Sequence, residues 1–184
     1  MKNNLDNTRT ALLVIDVQIG IIDGLNAYRG SEVVETIDNL LAKARAEETP
    51  VIYVQHDGGT GDLLELGSQG WQIHPQITPK DGEPVVAKRA CDSFFETELQ
   101  SELEKRGINR LVLAGCQTEY CVDTTARRAV TLGYDVVLVG DGHTTVNTLD
   151  LTAAQIISHH NAVLAGFQAG HHAIAVQQAD EVSF

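Results

Sequence analysis

Two of the chain's three cysteines lie five positions apart in AGCQTEYCVDTTARRA, residues 114–129, where an apolar run ends. A cysteine acts as a nucleophile through its thiolate, so it needs nearby positive charge or N–H groups, and a base to take its proton. The sequence offers both partners: Asp16 closes the apolar ALLVID and Lys88 closes PVVAK. Either charge is costly to bury alone. Taken singly, Asp16 reads as a cap on backbone N–H groups and Lys88 as a surface lysine with its stem along the sheet edge. Together with a thiol they form a usable set, a carboxylate to accept the proton and an ammonium to hold the charges. Cys116 follows Gly115 directly. Cys121 falls where a helix should begin, and backbone N–H groups and the helix dipole stabilise an anion there. The reading therefore favours Cys121 as nucleophile and takes Cys116 and Cys91 as inert thiols, buried or partly buried.

Short apolar runs alternate with amphipathic segments along the chain. The near-continuous run 11–16 predicts a strand covered on both faces. Residues 31–48 predict a helix with Ser31 as N-cap, stopped by Pro50. Strands are predicted at 51–56, 84–88, 110–115, 134–140 and 172–177, with helices near 94–106, 119–132 and 151–166. Gly and Pro punctuate residues 57–83, which predicts a long site-shaping loop. The expected fold class is α/β: one domain over 1–184, a three-layer, doubly wound, Rossmann-like parallel sheet of about six strands with helices on both faces. Ligands of such sheets sit at the carboxyl ends of the strands. That rule gathers Asp16, His56, Lys88, the 115–121 turn and Asp141 on one edge.

The bulk numbers narrow the classes. At 184 residues the chain has the length of one domain, and 43% hydrophobic with 21% charged residues is ordinary globular composition. No apolar run approaches the roughly 20 residues of a membrane span. MKNNLDNTRT has no apolar segment beside its charges, so no secretory leader is expected and the cytoplasm is the default. A net charge of −12 argues against nucleic acid and anionic membranes as partners. The cysteines match neither C-x-x-C nor a disulfide framework.

The strand-end Asp16 of ALLVIDVQ, the VVAK strand with Lys88, and GCQTEYCVDTTARRAVTLGYDVVLVGD together resemble the isochorismatase-like cysteine hydrolases. The last segment is similar to that family's G-x-x-T-[DE]-x-C-V block, and the resemblance runs from Thr10 to about Val176. It implies Cys121 as nucleophile, Asp16 as proton acceptor and donor, Lys88 as the cation that keeps both charged, and the backbone N–H groups of Gln117 and Cys121 as oxyanion donors. It also implies a cis peptide between Cys116 and Gln117. The implied reaction cleaves a C–N bond of a small amide, lactam or ureido compound through a thioester, with no cofactor. True isochorismatases of this fold carry glycine in place of the cysteine and cleave a vinyl ether.

Departures bear on the substrate. DVQIGII and VQHDGGTG differ from the segments of nicotinamidases, which place metal ligands after the second strand. His56, Asp57 and His74 lack the tight spacing of a metal set, and none is expected. Gln18, His56 and Trp71 are the candidate pocket residues. His159, His160 and Asn161 read as helix packing. The expected partner is a small-molecule substrate, and a homo-oligomer, dimer or tetramer, is implied by the resemblance. The rival readings are a non-catalytic small-molecule binder or scaffold, an isochorismatase-type hydrolase, and a Cys116/Cys121 redox sensor.

Overall fold

The structure, a computed structural model, describes residues 8–184. The stretch read above for a leader lies largely outside the described residues. Seven strands form one sheet in the order β3-β2-β1-β4-β5-β7-β6. They are β1 (Thr10–Ile15), β2 (Val51–His56), β3 (Val85–Lys88), β4 (Arg110–Cys116), β5 (Asp135–Thr144), β6 (Gln168–Ala169) and β7 (His172–Gln177). The α-helices are α1 (Gly30–Ala46), α2 (Leu99–Lys105), α3 (Asp123–Thr131) and α4 (Ala153–Leu164). Among the described residues no helix is long and apolar enough to cross a membrane.

β1 is buried at all six positions, as its continuous apolar run requires of a central parallel strand. Its side chains alternate between two cores. Leu13 and Ile15, with Leu111 and Leu113 of β4, pack on Leu99 and Leu103 of α2 and Ala126 and Val130 of α3. Leu12, Val14 and Val112 pack on Val34, Ile37 and Leu41 of α1. Each fully buried Leu or Ile stabilises the fold by about 1.5–3 kcal/mol relative to exposure. The chain winds from β1 through β2 to β3 on one side, then returns to β4 beside β1 and proceeds to β5 and β7. The winding therefore reverses between β1 and β4, and a doubly wound sheet opens a crevice at that point.

The predicted parallel sheet is present, with several differences. Two-residue β6 adds a seventh strand, antiparallel to β7, and two residues are too short to leave a periodic signal. α1 begins at Gly30, and its N-cap is Arg29 in the left-handed region, not Ser31. α4 is capped instead by a Thr152–Gln155 capping box. α2 starts late because residues 92–97 form turns, with Asp92 accepting from the Phe94 N–H and Thr97 donating to the Ser93 carbonyl. The run predicted as one helix over 119–132 divides into a π-helical turn, Thr118–Val122, followed by α3. β5 runs on past its predicted end to Thr144, with a register shift opposite β4 between Leu113 and Gly115.

Candidate active site

At the switch point, β4 presses against the end of β1. Gly115 has φ 136°, and a Cβ there would lie 2.0 Å from the Ile15 carbonyl oxygen, so only glycine allows this approach. Asp16 directly follows β1, and its φ of 51°, rare for a residue with a side chain, turns the chain sharply out of the strand. β4 ends at Cys116, which is joined to Gln117 by the expected cis peptide. The π-helical turn that follows carries Cys121, an irregularity frequent at functional sites.

The sheet brings Asp16, Lys88 and Cys121 together. Lys88 Nζ lies 2.7 Å from Asp16 Oδ2, with both side chains fully buried. The same ammonium donates to Cys121 Sγ at 3.1 Å and to the Ala90 carbonyl at 2.9 Å, and lies 3.2 Å from His56 Nδ1. The contact with Asp16 is the shortest of the four and joins opposite charges. Asp16 Oδ1 is buried with no donor on it. A buried acceptor left open is costly, and that cost is recovered if a proton arrives there.

Burial pulls the Lys88 pKa down, but the Asp16 carboxylate and Cys121 outweigh it and the net shift is upward. Lys88 is an ammonium. Burial pushes the Cys121 thiol up, the Asp16 charge adds to this, and Lys88 offsets only part of it. Cys121 therefore rests as a thiol. The sulfur is buried in the π turn ahead of α3 and faces a carboxylate, which opposes the anion-stabilising effect expected of a helix N-terminus. His56 is lowered, first by burial and then by Lys88. Its neutral Nδ1 accepts from Lys88, which leaves the ring proton on Nε2.

Of the three candidate pocket residues, Gln18 serves another purpose. It is fully buried, its Oε1 accepts from the His56 N–H at 3.0 Å, and its Nε2 donates to the carbonyls of His56 and Trp71 at 3.0 and 2.7 Å. Gln18 clamps the end of β2 to β1; it is scaffold, not pocket wall. Gln55 binds the same Trp71 carbonyl, so half-buried Trp71 is held through its main chain. Asp57 pairs with Arg89 at 2.7 Å and accepts from the Gly59 N–H. His74 caps the Gln76 N–H. Among the described residues, no group of three His, Cys, Asp or Glu side chains could hold a metal. An open groove of about 500 Å³ beside the end of β3 is lined by Asp57, Leu66, Lys88, Arg89, Phe95 and Glu96.

Asp141 is exposed and does not join this edge, because β5 continues past it. Instead β5 delivers residues the sequence reading missed. His143 lies 2.9 Å from the Thr118 hydroxyl and 2.8 Å from Asn161 Oδ1, and Thr145 donates to Glu119 at 2.9 Å. The signal available was a His and two Thr directly after an apolar run, in GDGHTT. His159, which is exposed, and His160 lie edge to face on α4. Cys116 is fully buried, and burial raises its pKa, which disfavours the thiolate that a redox pairing with Cys121 would use. All three cysteines are free.

The isochorismatase-domain family model matches residues 10–178. Streptothricin hydrolase of Streptomyces noursei is 38% identical over 149 residues, covering 80% of this chain and 53% of its own length. The chain thus spans between half and three fifths of the two streptothricin hydrolases it matches, 53% and 58%. Ureidoacrylate amidohydrolase of Pseudomonas syringae pv. syringae is 30% identical over 169 residues, 72% of this chain and 69% of its own. The solved structure of an isochorismatase from Pseudomonas putida superposes with a TM-score of 0.86 at 30% identity, over 95% of this chain and 90% of its own.

Proposed function

This chain belongs to the isochorismatase family, and from that premise we propose that it is a cysteine-dependent hydrolase of a C–N bond in a small amide, lactam or ureido compound. One observation carries the reading: a buried Lys88 ammonium 2.7 Å from Asp16 and 3.1 Å from the Cys121 sulfur, with Asp16 Oδ1 open. The substrate presents its carbonyl to Cys121. Cys121 Sγ forms a bond to its carbon while the thiol proton passes to Asp16 and the carbonyl electron pair moves onto oxygen. The N–H groups of Gln117 and Cys121 hold that oxyanion. Asp16 then protonates the departing nitrogen, and the C–N bond breaks to leave a thioester. Water attacks the thioester with Asp16 again as base, releasing the acid and restoring the thiol.

Lys88 stays charged throughout and keeps Asp16 ionised when the proton leaves. A thiol at rest suits this sequence, since its proton is the one later given to the amine. Cys121 stands where, by the resemblance, true isochorismatases carry glycine, and this favours C–N cleavage over isochorismate cleavage. The ureidoacrylate amidohydrolase among the relatives supports a ureido or amide substrate. A dimer or tetramer in the cytoplasm completes the proposal; exposed Leu151 and Val163 at α4 favour self-association, and sedimentation velocity tests it. For the activity, the experiment is a panel of amides, lactams and ureido compounds assayed for released ammonia or amine. The expected result is turnover of at least one class by the wild type and of none by Cys121→Ala. Retained turnover in that variant overturns the proposal.

A further inference from the structure

The π turn that carries Cys121 is held from behind by a hydrogen-bond chain whose polarity is fixed at every step. The Gly140 carbonyl can only accept, so Asn161 directs Nδ2 to it at 2.9 Å and turns Oδ1 towards His143. That oxygen also only accepts, so His143 carries its proton on Nε2. Nδ1 is then a lone pair, and the Thr118 hydroxyl donates to it at 2.9 Å. Thr118 and His143 are each 1% exposed. A Thr, His and Asn in line match the make-up of a nucleophile with its base and orienter, but no substrate reaches a hydroxyl so enclosed. The next residue of the turn, Glu119, accepts from Thr145. Two successive residues of the turn are therefore tied to β5 and its continuation, and Asn161 ties α4 into the same chain.

We infer that His143 and Asn161 are positioning residues: by holding Thr118 they fix the Gln117–Cys121 backbone that places the sulfur and aims the oxyanion donors. The consequence for turnover rests on the proposed function; the ordering of the turn does not. A misplacement of about 1 Å at a reacting centre can cost on the order of 100-fold in rate, so the effect belongs in kcat.

The test uses the full chain with Thr118→Val, which keeps the shape and removes the donor, Thr118→Ser, which keeps the donor, and Asn161→Ala at a partly exposed position. The expected result is a fall in kcat of about 10- to 100-fold for Thr118→Val and Asn161→Ala with KM within about 3-fold, and Thr118→Ser within about 3-fold of wild type. Independently of any substrate, amide hydrogen exchange across residues 117–122 should rise at least about 10-fold in Thr118→Val and Asn161→Ala, while α1 stays protected. Unchanged exchange in the turn overturns the inference, as does equal damage from Thr118→Ser and Thr118→Val, or a loss borne by KM alone. A wild type that turns over no amide defeats the proposed function and leaves the exchange measurement to decide this one.

Discussion

On its side towards β1 and β3, the Thr118–Val122 turn meets a charged cluster in which Asp16 Oδ1 has no donor. On its side towards β5 and α4 it meets a neutral chain in which Thr118, His143, Asn161 and the Gly140 carbonyl are matched one to one. Both sides are buried, so low dielectric strengthens the interactions of both. The back also holds Glu119, whose Oε1 accepts from Thr145 while its Oε2 is buried without a donor, so the difference lies in the ammonium that only the front holds beside its open carboxylate. A matched buried network rigidifies the backbone it touches, whereas an unmatched acceptor beside a held ammonium is ready to take a proton. The comparison teaches that the turn needs both, a rigid back and a reactive front, on a single five-residue element.

Breaking the front should have the largest effects. Cys121→Ala is expected to lower kcat by about 10⁴-fold or more, with a melting curve close to wild type, because it removes one sulfur from a preformed site. Lys88→Met should come next. It leaves Asp16 buried and unpaired, at a cost of about 3–5 kcal/mol in stability, and it removes activity as well; urea melts with parallel assays check both. Asp16→Asn should abolish proton transfer while keeping the side chain's shape, and pH-rate profiles of the residual activity measure that loss.

Breaking the back through pH gives a smaller effect. Burial holds the folded pKa of His143 below its ordinary value, and burial followed by Lys88 does the same for His56. An unfolded histidine titrates near about 6.5, so the unfolded chain takes up protons first as the solution is acidified. These groups contribute stability that is fully present above about pH 6.5 and is lost as pH falls through the lowered folded values. Urea melts at pH 7.5 and at successive steps down to pH 5 should show falling stability; a flat or rising profile contradicts the assignment of neutral, buried imidazoles. The smallest effect concerns the resting thiol. Alkylation of Cys121 by iodoacetamide should still be accelerating above about pH 8.5, the ordinary thiol range, and a plateau below pH 7 would show a thiolate at rest instead.

The front was legible in the sequence and the back was not, for a physical reason. Asp16 and Lys88 are charges that end apolar runs, and a charge in that position must find a partner; the parallel topology then places both at the end of β4. His143 offers no such signal, because GDGHTT reads as a polar loop once an apolar strand has ended. It becomes part of β5 only through an irregular register that pairs it with Gly115. Gln18 was legible as belonging to the site but not in its role, since whether an amide side chain faces substrate or clamps backbone depends on where Trp71 and His56 fall in space. The π turn has the residue pattern of an ordinary first helical turn, so its boundary with α3 was invisible to periodicity.

The most direct test of the central claim is intact-protein and peptide mass spectrometry after mixing the wild type with a turned-over amide and quenching in acid within the first turnovers. The account predicts an adduct of the substrate's acyl mass on the peptide that contains Cys121, decaying as product forms and absent in Cys121→Ala. Steady turnover with no adduct at any quench time, or an adduct on Cys91 or Cys116 in its place, would contradict it.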